Sequence, residues 1–387
     1  MPRKIHLCFV EAFYPRPSGP VGGAGTYIQN IGKQLIKTGY NVSVICACIG
    51  KNSYYSKDGL INVYPVIDTN PSQLIYYTSK VPILKLFTRL LYYLHNGLKI
   101  HIFLLGLNKI FKIDYIEYTE GGDFWNAITN NFKYSSHLHG SPFTFMKQSG
   151  QLKNKAFWIG RRAEHYFIKR ANKVISPCYA MVELVEVEMG QKLKQAHVIP
   201  YPVADSEIIT NKKSKKVTLL FASRNDPVKG GKLLTKALGL LPENVKSKIQ
   251  VEFYGYVPQR DLRHLPFLQI NEFVLKEILE KAYQTADICV IPSLFDNSPN
   301  TVYEAMALGK VVVASSVGGI PEIIGSKENG FLFDPKDVND LVEKLEDAIK
   351  LVLEGECQSM RVNAQQRINT ISNLSINVEQ RLNLIQL

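Results

Sequence analysis

The chain has 387 residues, 45% hydrophobic and 21% charged, with 26 glycines and 19 prolines. That composition excludes disordered, collagen-like and disulfide-scaffold classes, and the length allows two or three domains, each with a core of its own. The formal net charge of +12 is unevenly spread: residues 1–204 carry 24 bases against 11 acids, and residues 205–387 carry 22 against 23.

"MPRKIHLCFV" is a short basic start that runs straight into a strand, with no long apolar region and no small-residue cleavage site, so a cytoplasmic protein is expected. The Gly-rich "SGPVGGAG" follows, then the helical run "TYIQNIGKQLIKTG" and a second strand, "YNVSVICACI". "IDYIEY", "SSHLH" and "NKVISP" read as further short strands between helical stretches. Alternating strand and helix implies a parallel sheet covered on both faces. "IPYPVADSE" is a Pro-containing connector, after which the pattern restarts: "KVTLLFAS", "GGKLLTKALGLL", "IQVEFYGYV", "LKEILEKAYQTA", "DICVIPS", "KVVVAS" and the long helix "VNDLVEKLEDAIKLVLEG". The fold class is therefore α/β, with two Rossmann-like domains whose parallel sheets face a central cleft. The expected division is a first Rossmann-like domain over 1–200, a second over 201–365, and a final helix over 366–387 that packs back on the first domain. Such sheets bind ligands at the carboxyl ends of their strands.

Between Asp68 and Asp114 there is no acid, while Lys80, Lys85, Arg89, Lys99, Lys109 and Lys112 are basic. These bases interrupt every apolar stretch before it reaches the ~18 residues a membrane span needs. The segment from Val81 to Lys112 reads as one or two basic amphipathic helices. The bland alternative is a buried helix whose lysines snorkel to water. With its Leu, Phe and Tyr content, the segment suits an anionic membrane surface. No nucleic-acid-binding motif is present, and nucleic acid is not expected as a partner. The six cysteines form no CxxC pair, so neither a zinc site nor a disulfide framework is indicated.

Four constellations could carry chemistry. Gly22 and Gly23 lie in "GPVGGAGTY", after a strand and before a helix, where backbone N–H groups can approach a phosphate. A nicotinamide site would also want an acid at the end of the second strand, and "ICACIGK" has none, which removes the dehydrogenase reading. Arg224 and Lys229 bracket the loop "FASRNDPVKGG" at the equivalent point of the second half. Two cations at a helix start make a diphosphate clamp, and the plain alternative is a solvated loop.

The third stretch is "FDNSPNTVYEAMALGKVVVASSVGGIPEII", Phe295 to Ile324. Ser298 and Pro299 read as cap and first helical position, and Gly309 as the stop. Glu304 sits inside an otherwise apolar helix, where a lone carboxylate costs several kcal/mol unless something polar meets it. A ligand diol, an Arg or a backbone group would serve. Asp296, Asn297 and Ser298 precede the helix and could meet a sugar and a phosphate. Lastly, His137 and His139 share one face of the strand "SSHLHG", with His139 at its carboxyl end. Metal is not indicated there, since no nearby carboxylate or third ligand is evident.

The stretch "DNSPNTVYEAMALGKVVVASSVGGIPEII" resembles the E-x7-E signature of the retaining family 4 glycosyltransferases, which have the GT-B fold. The glycine loop, the "HLHG" run and the Arg224–Lys229 pair fall where that family places its other motifs, over nearly the whole chain. The resemblance implies a retaining, metal-independent transferase that uses a nucleotide sugar, a UDP-sugar in preference to a GDP-sugar, with no further cofactor. It implies that Arg224 and Lys229 neutralise the diphosphate, Glu304 holds the ribose, Asp296 meets the donor sugar, and His139 lies near that sugar. Gly22 and Gly23 would approach phosphate or acceptor. The family usually has Glu where this chain has Asp296, one methylene shorter, so the donor sugar is the open point. The acceptor is expected to be a saccharide, lipid-linked at the inner face of the cell membrane, as in surface polysaccharide or lipopolysaccharide assembly. A sugar-nucleotide epimerase and a non-catalytic glycan-binding protein are the rival readings.

Overall fold

A computed structural model describes residues 3–11, 14, 23–49, 56–68, 82–141, 144, 157–203, 206–208, 216–258, 265–272 and 276–385. The chain divides into two compact units, Met1–Pro202 with Leu374–Leu387, and Val203–Asn373.

The first unit is built on eight strands: β1 (His6–Glu11), β2 (Asn41–Ile49), β3 (Ser56–Asp58), β4 (Ile61–Asp68), β5 (Tyr115–Thr119), β6 (Tyr134–His137), β7 (Lys173–Ser176) and β8 (Ala196–Val198). Their order is β3-β4-β2-β1-β5-β6-β7-β8, parallel throughout except for the edge strand β3. Every residue of β1 is buried, as expected of a central strand covered on both faces. The covering helices are α1 (Gly23–Lys37), α2 (Pro82–Ile110), α3 (Phe124–Thr129), α4 (Phe157–Arg170) and α5 (Tyr179–Met189). The strand order reverses between β1 and β5, which makes that gap the topological switch point.

The basic segment forms one 29-residue helix, α2, with proline at its first position. Ile100, Leu104 and Leu107 are buried on one face, which packs on α3, α4 and β4. Leu91, Ile102 and Ile110 are exposed on the other, and Phe111 just beyond the helix is exposed as well.

The second unit holds β9 (Val217–Ala222), β10 (Ile249–Tyr254), β11 (Leu268–Asn271), β12 (Ile288–Ile291), β13 (Val311–Ser315) and β14 (Phe331–Phe333). All are parallel, in the order β11-β10-β9-β12-β13-β14, with the switch point between β9 and β12. The helices are α6 (Gly231–Leu240), α7 (Glu243–Lys246), α8 (Lys276–Thr285), α9 (Asn300–Ala307), α10 (Ile320–Ile323), α11 (Val338–Glu354) and α12 (Gln358–Ser372). Leu219, Leu234, Leu238, Val251, Phe253, Val290, Val313 and Leu345 share its core.

This unit runs on to Asn373, past the boundary at 365 read from the sequence, because α12 is part of its packing. Met360, Ala364 and Ile368 are buried, and the Arg361 guanidinium donates to the Gly309 carbonyl at 2.6 Å. The following helix, α13 (Leu374–Ile385), packs instead against α1 in the first unit.

Candidate active site

In the second unit the loops leaving β9, β12 and β13 are tied together at the switch point. Leu294 N–H donates to the Val228 carbonyl at 2.7 Å, and Gly319 N–H to the Asn297 carbonyl at 2.7 Å. The Ser315 hydroxyl donates to the Ser293 carbonyl at 2.6 Å. Two glycines make this closeness possible. Gly230, at φ +74, has no room for a Cβ, which would stand 1.7 Å from the Pro292 carbonyl oxygen. Gly318, at φ +52, faces the Asp296 carbonyl oxygen at the same 1.7 Å.

On this frame Lys229 Nζ donates to Asp296 Oδ2 at 2.7 Å, and the Ser293 hydroxyl donates to the same oxygen at 3.0 Å. Asp296 is buried and Lys229 about a quarter exposed. Lys229 ends a short 3₁₀ turn, Pro227–Lys229, capped by Asp226, and α6 begins two residues later. Arg224 is exposed at the start of this loop, and no ion pair of its side chain is found among the described residues. The structure thus joins Lys229 to Asp296, two residues that sequence reasoning placed in separate motifs.

Asn297 and Ser298 are buried in the same loop. Ser298 does not cap the helix, contrary to the sequence expectation: its hydroxyl pairs with the Tyr303 hydroxyl at 2.7 Å. Pro299 is the cap residue and Asn300 the first of α9, because the Pro299 carbonyl accepts from Val302 N–H. At the other end Gly309 does stop the helix. Gly309 and Lys310 N–H groups return to the Met306 and Ala305 carbonyls in a Schellman motif, with Gly309 left-handed at φ +63. Glu304 is half-buried, and the buried Tyr283 hydroxyl of α8 hydrogen-bonds to it. Burial and the Glu304 charge push the Tyr283 phenol well above its usual range.

His139 and Gly23 belong to the first unit. Gly23 is exposed and opens α1, and Gly22 lies outside the described residues. His137 and His139 stack with ring centroids 3.8 Å apart. His137 Nδ1 lies 2.8 Å from Glu117 Oε1, and His139 Nδ1 lies 2.6 Å from the Tyr201 hydroxyl. Burial, aided by neighbouring positive charge, holds His139 well below the usual imidazole range. Among the described residues no three His, Cys, Asp or Glu side chains are placed to hold a metal ion.

Sequence reasoning missed Glu117, Glu120 and Tyr201. An acid at the carboxyl end of a strand, as in "YIEYTEGG", was the available signal for Glu120. Its carboxylate meets the Gly140 N–H at 2.5 Å, and burial together with the nearby Glu164 pushes it up to about 8. Burial raises Glu164 to about 7, against the pull of Arg161. Both folded values exceed the ordinary carboxylate range. Their stabilising contribution is therefore complete below about pH 4.3 and is lost as pH rises through about 7 to 8. Glu120→Gln keeps an acceptor for Gly140 and removes the ionisation. Its melting temperature is expected to exceed the parent's by several degrees at pH 8.5 and to differ little at pH 5. A difference that does not grow with pH would refute this.

Residues 204–367 match the family described as Glycosyl transferases group 1, and residues 21–207 match Glycosyltransferase Family 4. An uncharacterised glycosyltransferase of Methanocaldococcus jannaschii is 26% identical over 212 residues, 54% of this chain and 56% of its own length. The match thus spans about half the length of that relative. Sucrose-phosphate synthase from Thermosynechococcus elongatus superposes with a TM-score of 0.76 at 17% identity, covering 99% of this chain and 98% of its own. Anabaena HepE in complex with UDP-glucose gives 0.65 at 16% identity, covering 99% and 100%. The two structural likenesses speak to the fold.

Proposed function

Because the chain belongs to the GT-B glycosyltransferases of the family 4 type, we propose that it moves a sugar, with retention, from a nucleoside-diphosphate donor to a saccharide hydroxyl. The observation that carries this is the Lys229–Asp296 pair at the switch point of the second sheet, beside the start of α6 and with Arg224 exposed next to it. A cation and backbone N–H groups suit a diphosphate, and a carboxylate suits sugar hydroxyls.

In this reading the bond from the sugar C1 to the phosphate oxygen breaks while the acceptor oxygen bonds to C1 on the same face. The acceptor's proton passes to the leaving phosphate. Charge growing on that phosphate is stabilised by Arg224, Lys229 and the N-terminus of α6, preorganised groups that need no rearrangement as charge develops. No metal ligand and no enzymic base enters the step. Asp296, with Asn297 and Ser298 on its loop, positions the sugar, and His139 donates to a sugar hydroxyl. A carboxylate has acceptor sites for about four hydrogen bonds, so Glu304 can keep Tyr283 and still receive a ribose diol. UDP is the favoured nucleotide, supported by the UDP-glucose bound to HepE.

A thermal-shift panel of nucleotide sugars tests the reading, since only a ligand of the folded state raises the melting temperature. UDP-sugars are expected to raise it, by an amount that grows with concentration and is lost in Lys229→Met. A panel in which no nucleotide or nucleotide sugar shifts the protein would overturn the proposal.

The acceptor is proposed to be lipid-linked, and the protein to work at an anionic membrane surface. Among the described residues no helix is long and apolar enough to cross a membrane. The exposed Leu91, Ile102, Ile110 and Phe111 on and beside α2, with the exposed Lys109 and Lys112, fit surface binding. Each base near such a surface contributes about 1 kcal/mol. Reversing Lys85, Lys109 and Lys112 to Glu is therefore expected to weaken binding to anionic vesicles roughly hundredfold or more. Donor hydrolysis in solution should be unchanged. Binding that survives both the reversal and high salt would move the search to soluble acceptors.

A further inference from the structure

We propose that Arg381, in α13, is a positioning residue for His139, acting through Glu117 and His137. The proposal rests on the reading of His139 as a group that meets sugar. Arg381 Nη1 donates to Glu117 Oε2 at 3.1 Å, and its Nε donates to Asn377 Oδ1 at 2.9 Å. Asn377 in turn donates to the Pro200 carbonyl, one residue before Tyr201. The guanidinium carbon sits 4.7 Å over the Tyr27 ring, and the Tyr27 hydroxyl donates to Glu117 Oε1 at 2.6 Å. That same oxygen lies 2.8 Å from His137 Nδ1. An ionised carboxylate is acceptor-only, so Glu117, which takes Tyr27 on Oε1 and Arg381 on Oε2, fixes the proton of His137 on Nδ1. Glu117 thereby sets the plane of the His137 ring, on which His139 stacks at 3.8 Å with an interplanar angle of 21°. The Tyr201 ring lies beside both imidazoles, its centroid 5.6 Å from that of His139 and 6.0 Å from that of His137.

The arrangement sorts protons as well as planes. Burial disfavours a charged Glu117, yet Arg381, His137 and Tyr27 together hold it at about 2. Burial pushes His137 down to about 4, against the pull of Glu117. Two imidazoles stacked face to face are compatible while both are neutral and repel once both are charged. Arg381 disfavours that second charge. The titratable and charged groups around the pair are Glu117 and Glu120 at β5, Tyr27 on α1, Tyr201 after β8, and Arg381 itself. Glu117 and Arg381 are 264 residues apart in sequence, so the link exists only in the fold.

The test compares the parent, Arg381→Gln and Arg381→Lys in the full chain by two readouts. Histidine-labelled protein is titrated by NMR, and donor turnover is measured from pH 5.5 to 9. In Arg381→Gln the titration midpoints of His137 and His139 are expected to rise by at least one pH unit. Its kcat should fall relative to the parent as pH drops toward the raised midpoints, recover to within a few-fold at pH 8.5, and leave KM for the donor within a few-fold. Arg381→Lys keeps the cation and should keep both midpoints within half a unit of the parent. Parallel pH profiles for parent and Arg381→Gln, or unmoved midpoints, overturn the proposal. If Arg381→Gln does not fold, the parent decides. A neutral His137 protonated on Nδ1 at pH 6.5 supports the link, and a charged or Nε2-protonated one refutes it. A parent inactive on every nucleotide sugar would sink the transferase reading instead, and the midpoints would still judge the coupling.

Discussion

Arg224→Met is expected to lower turnover of the donor about 100-fold or more while leaving the melting temperature within a degree or so of the parent. The side chain is exposed and the structure spends nothing on holding it, so its loss is felt only when charge grows on the leaving phosphate. Removing one preorganised donor from such a charge typically costs ~3 kcal/mol. Lys229→Met should lose as much turnover and, unlike Arg224→Met, stability too. Its ammonium neutralises the buried Asp296, and stripping one partner from such a pair leaves a carboxylate uncompensated. The second unit should then melt lower, by an amount corresponding to about 1–3 kcal/mol. Adding Asp296→Asn to Lys229→Met should recover much of the stability and none of the turnover. Calorimetry and initial rates on the four proteins decide the matter. Turnover within tenfold of the parent in either single variant would remove the diphosphate clamp.

Gly230→Ala and Gly318→Ala are expected to be severe for a different reason. Each glycine has a left-handed backbone, and each added Cβ would stand 1.7 Å from a carbonyl oxygen. The backbone strain costs about 1–2 kcal/mol and the forced displacement about 1–3 more. For a unit of this size, each kcal/mol lowers the melting temperature by about 2–4 °C, so a fall of roughly 5–20 °C is expected. Protein that remains folded should bind nucleotide sugar weakly, because the displaced carbonyls belong to Pro292 and Asp296, in the loop that carries the site. Gly239→Ala is the control: it lies in α6 with nothing within 4 Å of its added Cβ. There the better helix former should hold or raise stability by up to ~1 kcal/mol. Equal behaviour of the three variants would mean the tight loop packing is not what holds the site.

The sheets were legible because apolar runs such as "HLCFVE" and "ICVI" are buried along their whole length, a pattern that needs no partner to be recognised. The β3–β4 hairpin escaped the reading even though its two-residue turn, Gly59–Leu60, opens on a glycine at φ +60. Three-residue strands such as β14 carry too few positions for any period to show. Candidate site residues were found where a local motif marks them, as with Lys229, Asp296 and Glu304. Their partners were not. Tyr283 reaches Glu304 from another helix, and Asp296 takes Lys229 from 67 residues away. Arg381 sits in a helix whose buried residues are Asn377, Val378 and Arg381, so no apolar stripe marks its inner face. A side chain's role there depends on which strand its helix returns to, and that is decided by the packing of α13 on α1.

That return has a consequence for the order in which the molecule is made. On the ribosome the first 202 residues emerge before any of α13, and all of Val203–Asn373 is synthesised in between. Until α13 arrives, Glu117 has no Arg381 to offset its burial, and the face of α1 that α13 covers stays open to water. The first unit is therefore begun first and finished last. Its nascent form should hold Glu117 protonated or solvated, with His137 and His139 not yet locked. The second unit, whose segments are contiguous, can close on its own meanwhile. The histidine pair thus takes its final form only after the second unit has been translated.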